Sequence, residues 1–211
     1  MSVGTAVVSF AVVAGLLTLV PGLDTALVLR AAVVRGTRGA FATAAGVGTG
    51  LLVWGAAATA GVSVLLTTSQ VAYTVLRVAG ALYLIWLGLT SLRTAWRRDG
   101  AVGWEPDADP GGGLVRAWAR GALSNLLNPK VGVFYLAMLP QFLPPHAPHL
   151  LMGLSLTMIH IIEGLVWWTV LICVVRAARA WLSRVSVKRA MEAVTGSVLL
   201  ALGVKLAFDA P

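Results

Sequence analysis

Two stretches of this sequence place charge and helix-breaking residues inside otherwise apolar runs. In LTLVPGLDTALVLR, Leu17 to Arg30, Pro21 and Gly22 interrupt the run and Asp24 follows. In GALSNLLNPKVGVFYLAMLPQFL, Gly121 to Leu143, Asn125, Asn128, Pro129 and Lys130 fall near the middle. Each proline removes a backbone hydrogen bond and frees carbonyls upstream, and for Pro129 these lie around Asn125 and Leu126. In hydrocarbon, freed backbone groups are tolerated only where protein or a watery cavity satisfies them. An ionised side chain there costs at least ~2.5–3.5 kcal/mol on insertion scales. Asp24 and Lys130 are therefore expected to face a cavity or each other. A third run, Leu150 to Val175, carries Glu163 near its middle with His160 one turn earlier on the same face.

The elements that must position these groups are membrane helices. The chain has 211 residues, 58% of them hydrophobic and 11% charged, with a mean hydropathy of +0.87. A soluble domain carries roughly twice that charged fraction. A run of about 20 apolar residues spans a bilayer. The runs read as six spans: 3–29, 41–66, 71–92, 121–143, 150–175 and 190–208, with Thr67–Gln70 as the break between the second and third. Strand-type alternation is absent and each run exceeds a barrel strand, so the expected fold is all-α and polytopic. The N-terminus has no lysine or arginine before Arg30, which leaves no basic region for a cleavable signal, and Val3 onward reads as a retained first span. Cys173, the single cysteine, is expected as a small packing residue and excludes an internal disulfide.

The net charge of +8 is a topology signal. All basic residues but Arg77, Lys130 and Lys205 fall in or beside the first, third and fifth connections, while the second and fourth have none. Odd connections are then cytoplasmic and both termini face outward, in a multi-pass protein of the cytoplasmic membrane. The same distribution argues against nucleic acid as a partner. Arg77, Lys205 and Glu192 near span ends read as snorkelling side chains. Residues 99–113, rich in glycine, proline and acid, read as a flexible linker. Residues 176–189 read as a helix lying on the inner leaflet.

The linker splits the chain into three spans and three: repeat one over 1–98, a linker over 99–116 and repeat two over 117–211. An odd number of spans per half makes the halves run oppositely, so the broken first and fourth spans become equivalents in an inverted repeat. Interrupted helices at matching positions are the best sequence-level pointer to a transporter's midplane site. Two unrelated proline kinks are the alternative, and would leave the charge beside each break unexplained. Small residues at Ala42, Gly46 and Gly50 allow close helix contact, either as internal packing or as the face of a homodimer. Trp54, Trp86, Trp167 and Trp168 read as packing or interfacial residues.

PGLD at Pro21–Asp24 and NLLNPKVGVFYLAMLPQF at Asn125–Phe142 resemble the two signature regions of the LysE/RhtB family of bacterial amino-acid exporters. Length, span count and linker position agree over essentially the whole chain. The family's first motif commonly reads Pro-Gly-Pro and then a polar residue; Leu23 departs from it while Pro21, Gly22 and Asp24 match. The resemblance implies proton-coupled export of small amino acids or their derivatives, without a cofactor. Under it, Asp24 suits the ammonium of a zwitterion, and Lys130, Asn125, Asn128 and the open N–H groups at the breaks suit its carboxylate. A structural ion pair between Asp24 and Lys130 remains the other reading. Glu163 is the expected proton-coupling carboxyl with His160 as its partner; a neutral acid held between helices, and a packing histidine, are the alternatives.

Export of metal ions or other small metabolites is the competing function. His160 and Glu163 make too small a ligand set, and His146 and His149 lie in an outer loop. No Gly-x-Ser-x-Gly or His-Glu-x-x-His motif supports an enzyme.

Overall fold

The computed structural model describes residues 1–20, 22–68, 70–96, 113–174 and 185–208. Among them are seven α-helices and no strand: α1 Val3–Leu19, α2 Leu23–Thr68, α3 Gln70–Trp96, α4 Leu114–Leu126, α5 Pro129–Met138, α6 His149–Cys173 and α7 Val185–Phe208. A 3₁₀ turn, Leu139–Phe142, extends α5. Three stretches are long and apolar enough to cross a membrane by length and composition: Leu23–Gly61, His149–Cys173 and Arg189–Ala207. The other expected spans are helical but shorter or divided. Val3–Leu19 and Val78–Thr90 are shorter apolar helices, and the fourth run is split between α4 and α5. Pro21, most of the 99–116 linker and residues 176–184 of the expected surface helix lie outside the described residues.

Ser2 opens α1 by accepting from the Thr5 N–H at 3.2 Å. Ala6, Phe10, Ala14 and Leu17 are buried, while Val8, Val12, Leu16 and Leu19 are exposed. A helix apolar on every side is suited to lipid rather than water. Phe10 meets Phe134 and Phe142 at ring-centroid distances of 6.1 and 5.5 Å, so α1 is anchored on α5 and its 3₁₀ extension.

α2 has 46 residues, about 69 Å at 1.5 Å per residue, more than twice a hydrocarbon core of about 30 Å. It turns at Gly36, whose φ of 71° and ψ of −175° are closed to residues with a side chain. The first connection, expected as a loop around Arg30, Arg35 and Arg38, is thus helix on both sides of one glycine. Arginine is a good helix former, so basic residues mark topology without ending a helix. The break after Thr68 falls where Thr67–Gln70 was expected.

Glycines bring the helices into backbone contact. A Cβ at Gly46 would strike the Trp118 carbonyl, and one at Gly121 the Thr43 carbonyl, so α2 and α4 touch main chain to main chain. At Gly46 and Gly50 the expected close helix contact is therefore made within the chain. Where α2 crosses α6, Gly55 faces Thr157 and Gly153 faces Thr59, a reciprocal pair. Where α3 crosses α7, a Cβ on Gly88 would meet the Gly196 carbonyl at 2.7 Å, and one on Gly196 the Gly88 carbonyl at 2.6 Å. Cys173 is exposed in the last turn of α6 rather than packed inside; a small thiol meets no penalty on a lipid-facing surface.

Candidate functional site

The second break is built from Leu127 and Asn128. The Leu127 N–H still reaches Leu123 O at 2.9 Å, and α5 then starts with Pro129 at its first position, where a missing N–H costs nothing. Asn128 caps α5, its Oδ1 accepting from the Lys130 N–H at 3.1 Å. Pro129 therefore begins a new helix rather than kinking one. The carbonyl of Asn125, among those expected to be freed, accepts from the Asn128 N–H at 3.0 Å and the Trp54 indole N–H at 3.3 Å.

At the first break, Gly22 precedes α2 and its carbonyl accepts from the Ala26 N–H at 3.0 Å. Asp24 lies in the first turn of α2, where a carboxylate meets the positive end of the helix dipole. Its Oδ2 accepts from Asn125 Nδ2 at 2.9 Å and from Asn128 Nδ2 at 3.3 Å. The two breaks are thereby joined side chain to side chain. Asp24 Oδ1 is buried and has no hydrogen-bond partner. Lys130 lies nearby: a Cβ added to Gly22 would come 3.7 Å from its Nζ.

Gly22, Asp24, Asn128, Lys130 and His160 line one cavity of ≈ 50 Å³, with Thr18, Thr25 and an apolar wall that includes Leu17, Leu51, Val131 and Trp168. That is room for a few waters. Asn125 stands behind Asp24, fully buried, with its Oδ1 against Gly50, where a Cβ would approach to 2.6 Å. His160 is buried; its Nδ1 is 3.1 Å from the Tyr135 hydroxyl and the two rings stack 14° from parallel. Glu163 does not line the cavity. Its carboxylate lies over Gly15 of α1, where a Cβ would come 3.6 Å from Oε1, and its Oε2 has no hydrogen-bond partner. His160 and Glu163 thus meet different neighbours of α6, one facing α5 and the other α1. Lys205 is exposed and Glu192 half-buried on α7; the Arg77 side chain lies outside the described set.

Sequence reasoning gave Trp54 and Trp168 packing or interfacial roles and Tyr135 none, yet all three do more. Trp54 holds the Asn125 carbonyl, and Trp168 lines the cavity and donates to Thr25 Oγ1 at 3.3 Å. Tyr135, which engages His160, sits inside the second signature region, six positions after Pro129. An indole in an apolar run looks the same whether or not its N–H is used, so no local signal marked them. Among the described residues, no cluster of three or more His, Cys, Asp or Glu is placed to hold a metal ion.

Comparisons with known proteins place the chain among membrane transport proteins. The chain is 32% identical to the homoserine/homoserine lactone efflux protein of Salmonella typhi over 192 residues, 91% of each chain. It is 35% identical to the leucine efflux protein of Salmonella choleraesuis over 133 residues, 63% of this chain and 61% of that one. It is 26% identical over 92% of its length to YrhP, an uncharacterized membrane protein of Bacillus subtilis, covering 94% of that chain. No solved structure matches it. The LysE type translocator family matches residues 15–210, a span that holds both helix breaks and every residue of the cavity. The chain belongs to the LysE-type translocators, a family of membrane transport proteins rather than enzymes.

Proposed function

We propose that this protein exports amino acids or their close derivatives from the cytoplasm by alternating access, in exchange for entering protons. The observation that carries the reading is the unpaired Oδ1 of Asp24, held in a buried cavity by two amides from the opposite helix break with Lys130 close by. A zwitterion presents an ammonium that suits the free carboxylate oxygen and a carboxylate that suits the lysine. The relatives named for homoserine and leucine efflux support an amino-acid cargo.

The transporter works as two inverted halves, residues 1–98 and 117–211, of three spans each, with both termini outside. The reciprocal contacts support this: Gly55 with Thr157 against Gly153 with Thr59, and Gly88 with Gly196, are what a two-fold axis in the membrane plane produces. The binding residues are Pro21, Gly22, Asp24, Asn125, Asn128, Pro129 and Lys130. Glu163 couples export to protons, and His160 orients the cavity side of α6. The carboxyl of Glu163, set against a glycine of α1 with one oxygen unpaired, favours a group that exchanges a proton as α1 moves on α6.

The test is an efflux assay. Cells with and without the protein are loaded with mixed dipeptides, and the amino acids released are identified by mass spectrometry. Faster release of a few amino acids is expected. No difference for any of them, with the protein verified in the membrane, removes the reading. Glu163→Gln is expected to leave binding intact and flatten the dependence of export on external pH; an unchanged pH profile removes Glu163 from the coupling role.

A further inference from the structure

We infer that Thr18 is a substrate-binding residue whose hydroxyl hydrogen-bonds a hydroxyl on the side chain of the transported amino acid, giving preference to hydroxylated over purely aliphatic cargo. This rests on the amino-acid export reading above and specifies the cargo of the same cavity.

A threonine in an apolar helix ordinarily satisfies its hydroxyl on the carbonyl four residues back. The helices of this protein follow that habit. Thr43 donates to Gly39 O at 2.9 Å, Thr59 to Gly55 O at 2.6 Å, Thr157 to Gly153 O at 2.8 Å and Thr195 to Met191 O at 2.7 Å. Thr49 and Thr169 do the same, at 3.0 and 2.6 Å. Thr18, in the last turn of α1, departs from it: its Oγ1 is buried and has no hydrogen-bond partner. A buried hydroxyl left unpaired bears its desolvation cost with nothing in return, so the group calls for a ligand.

Its position says which ligand. Thr18 lines the cavity that holds Asp24 and Lys130. The other polar side chains there are engaged: Thr25 accepts from Trp168, His160 meets Tyr135, and Asn128 bridges Asp24 and the Lys130 N–H. Asp24 on α2 and Lys130 on α5 serve the ammonium and carboxylate common to every amino acid. The free hydroxyl on α1, a third element, is left for what distinguishes one cargo from another. A site that hydrogen-bonds a substrate hydroxyl discriminates against the analogue lacking it, because the protein group is then left unpaired. The competing partner is Glu163, whose unpaired Oε2 lies over Gly15, one turn before Thr18 on α1.

The test compares isosteric pairs in proteoliposomes containing the full-length protein: homoserine against norvaline, and threonine against valine. Wild type is expected to favour the hydroxylated member of each pair. Thr18→Val, which keeps shape and loses the hydroxyl, is expected to slow the hydroxylated members about tenfold and leave norvaline and valine unchanged, with Thr18→Ser restoring the ratio. Equal effects on both members, or an altered pH profile with the ratio intact, overturn the inference; the latter assigns the hydroxyl to Glu163. A wild-type ratio near one overturns it whatever the variants do. Failure of wild type to carry any of the four overturns the inference, while the efflux assay above decides the export reading separately.

Discussion

At the α4–α5 break the main chain is satisfied: Asn128 caps the new helix, Pro129 sits where no N–H is needed, and Trp54 takes up the Asn125 carbonyl, while Asn125 Oδ1 is buried without a partner against Gly50. At the α1–α2 break, Asp24 Oδ1 and Thr18 Oγ1 are buried and unpaired, and Gly22 offers no side chain beside the Lys130 ammonium. The two interruptions are finished differently: at the second the main-chain groups are taken up, and at the first two side-chain oxygens that line the cavity are left open. Buried polar groups are almost always satisfied, and satisfied ones are held in place. The second break is therefore the frame that orients Asp24 through two amides, and the first carries the unpaired oxygens that face the cavity. The first break supplies the acceptor, and the second supplies the donors that hold it along with the opposing cation.

The sharpest way to break this contrast is Asp24→Asn. It keeps the shape and removes the charge and the free acceptor, leaving two amides facing a third. Transport is expected to fall by on the order of 100-fold or more, the usual scale when one member of a buried charged set is lost. Membrane insertion, read by fractionation, is expected to be unchanged. Undiminished export would move the binding surface away from the first break.

Gly50→Ala attacks the frame without touching Asp24. The new Cβ would stand 2.6 Å from Asn125 Oδ1 and 2.9 Å from its Cβ, forcing the amide to shift. Overpacking of this kind costs about 1–3 kcal/mol. Efflux is expected to drop about tenfold with a lower unfolding temperature in detergent, and wild-type values for both would mean that Asn125 is not held as described. Trp54→Phe gives the smallest effect. It removes one of two donors from the Asn125 carbonyl, worth about 1 kcal/mol, so stability is expected to fall by that amount and efflux by less than about threefold. A loss as large as that of Asp24→Asn would show that the second break is not merely a frame.

The positions of both breaks, and Asp24, Asn125, Asn128 and Lys130 as the residues around them, were legible because such residues inside apolar runs are conspicuous. The turn after Thr68 was legible for the same reason. Gly36 was not. A lone glycine among arginines reads as part of a loop, and only its φ of 71° inside continuous helix identifies it as the bend. Glu163 and His160 share a helical face by spacing, yet they serve different neighbours, because a face wide enough to hold both also touches both α1 and α5.

By itself the sequence determined that this is a helical membrane protein with charged interruptions in two of its helices. Hydropathy, proline and charge act locally, and their cost in hydrocarbon does not depend on what packs beside them. Tertiary structure alone decided that Asn125 reaches Asp24 across 101 positions of chain, that the indole of Trp54 serves a carbonyl, and that Thr18, unlike the buried Thr43, Thr59, Thr157 and Thr195, is left without a partner. Each of these depends on which helix faces which. That is set by close packing at glycines such as Gly46, Gly50 and Gly121, a property of pairs of surfaces that no single stretch of sequence contains.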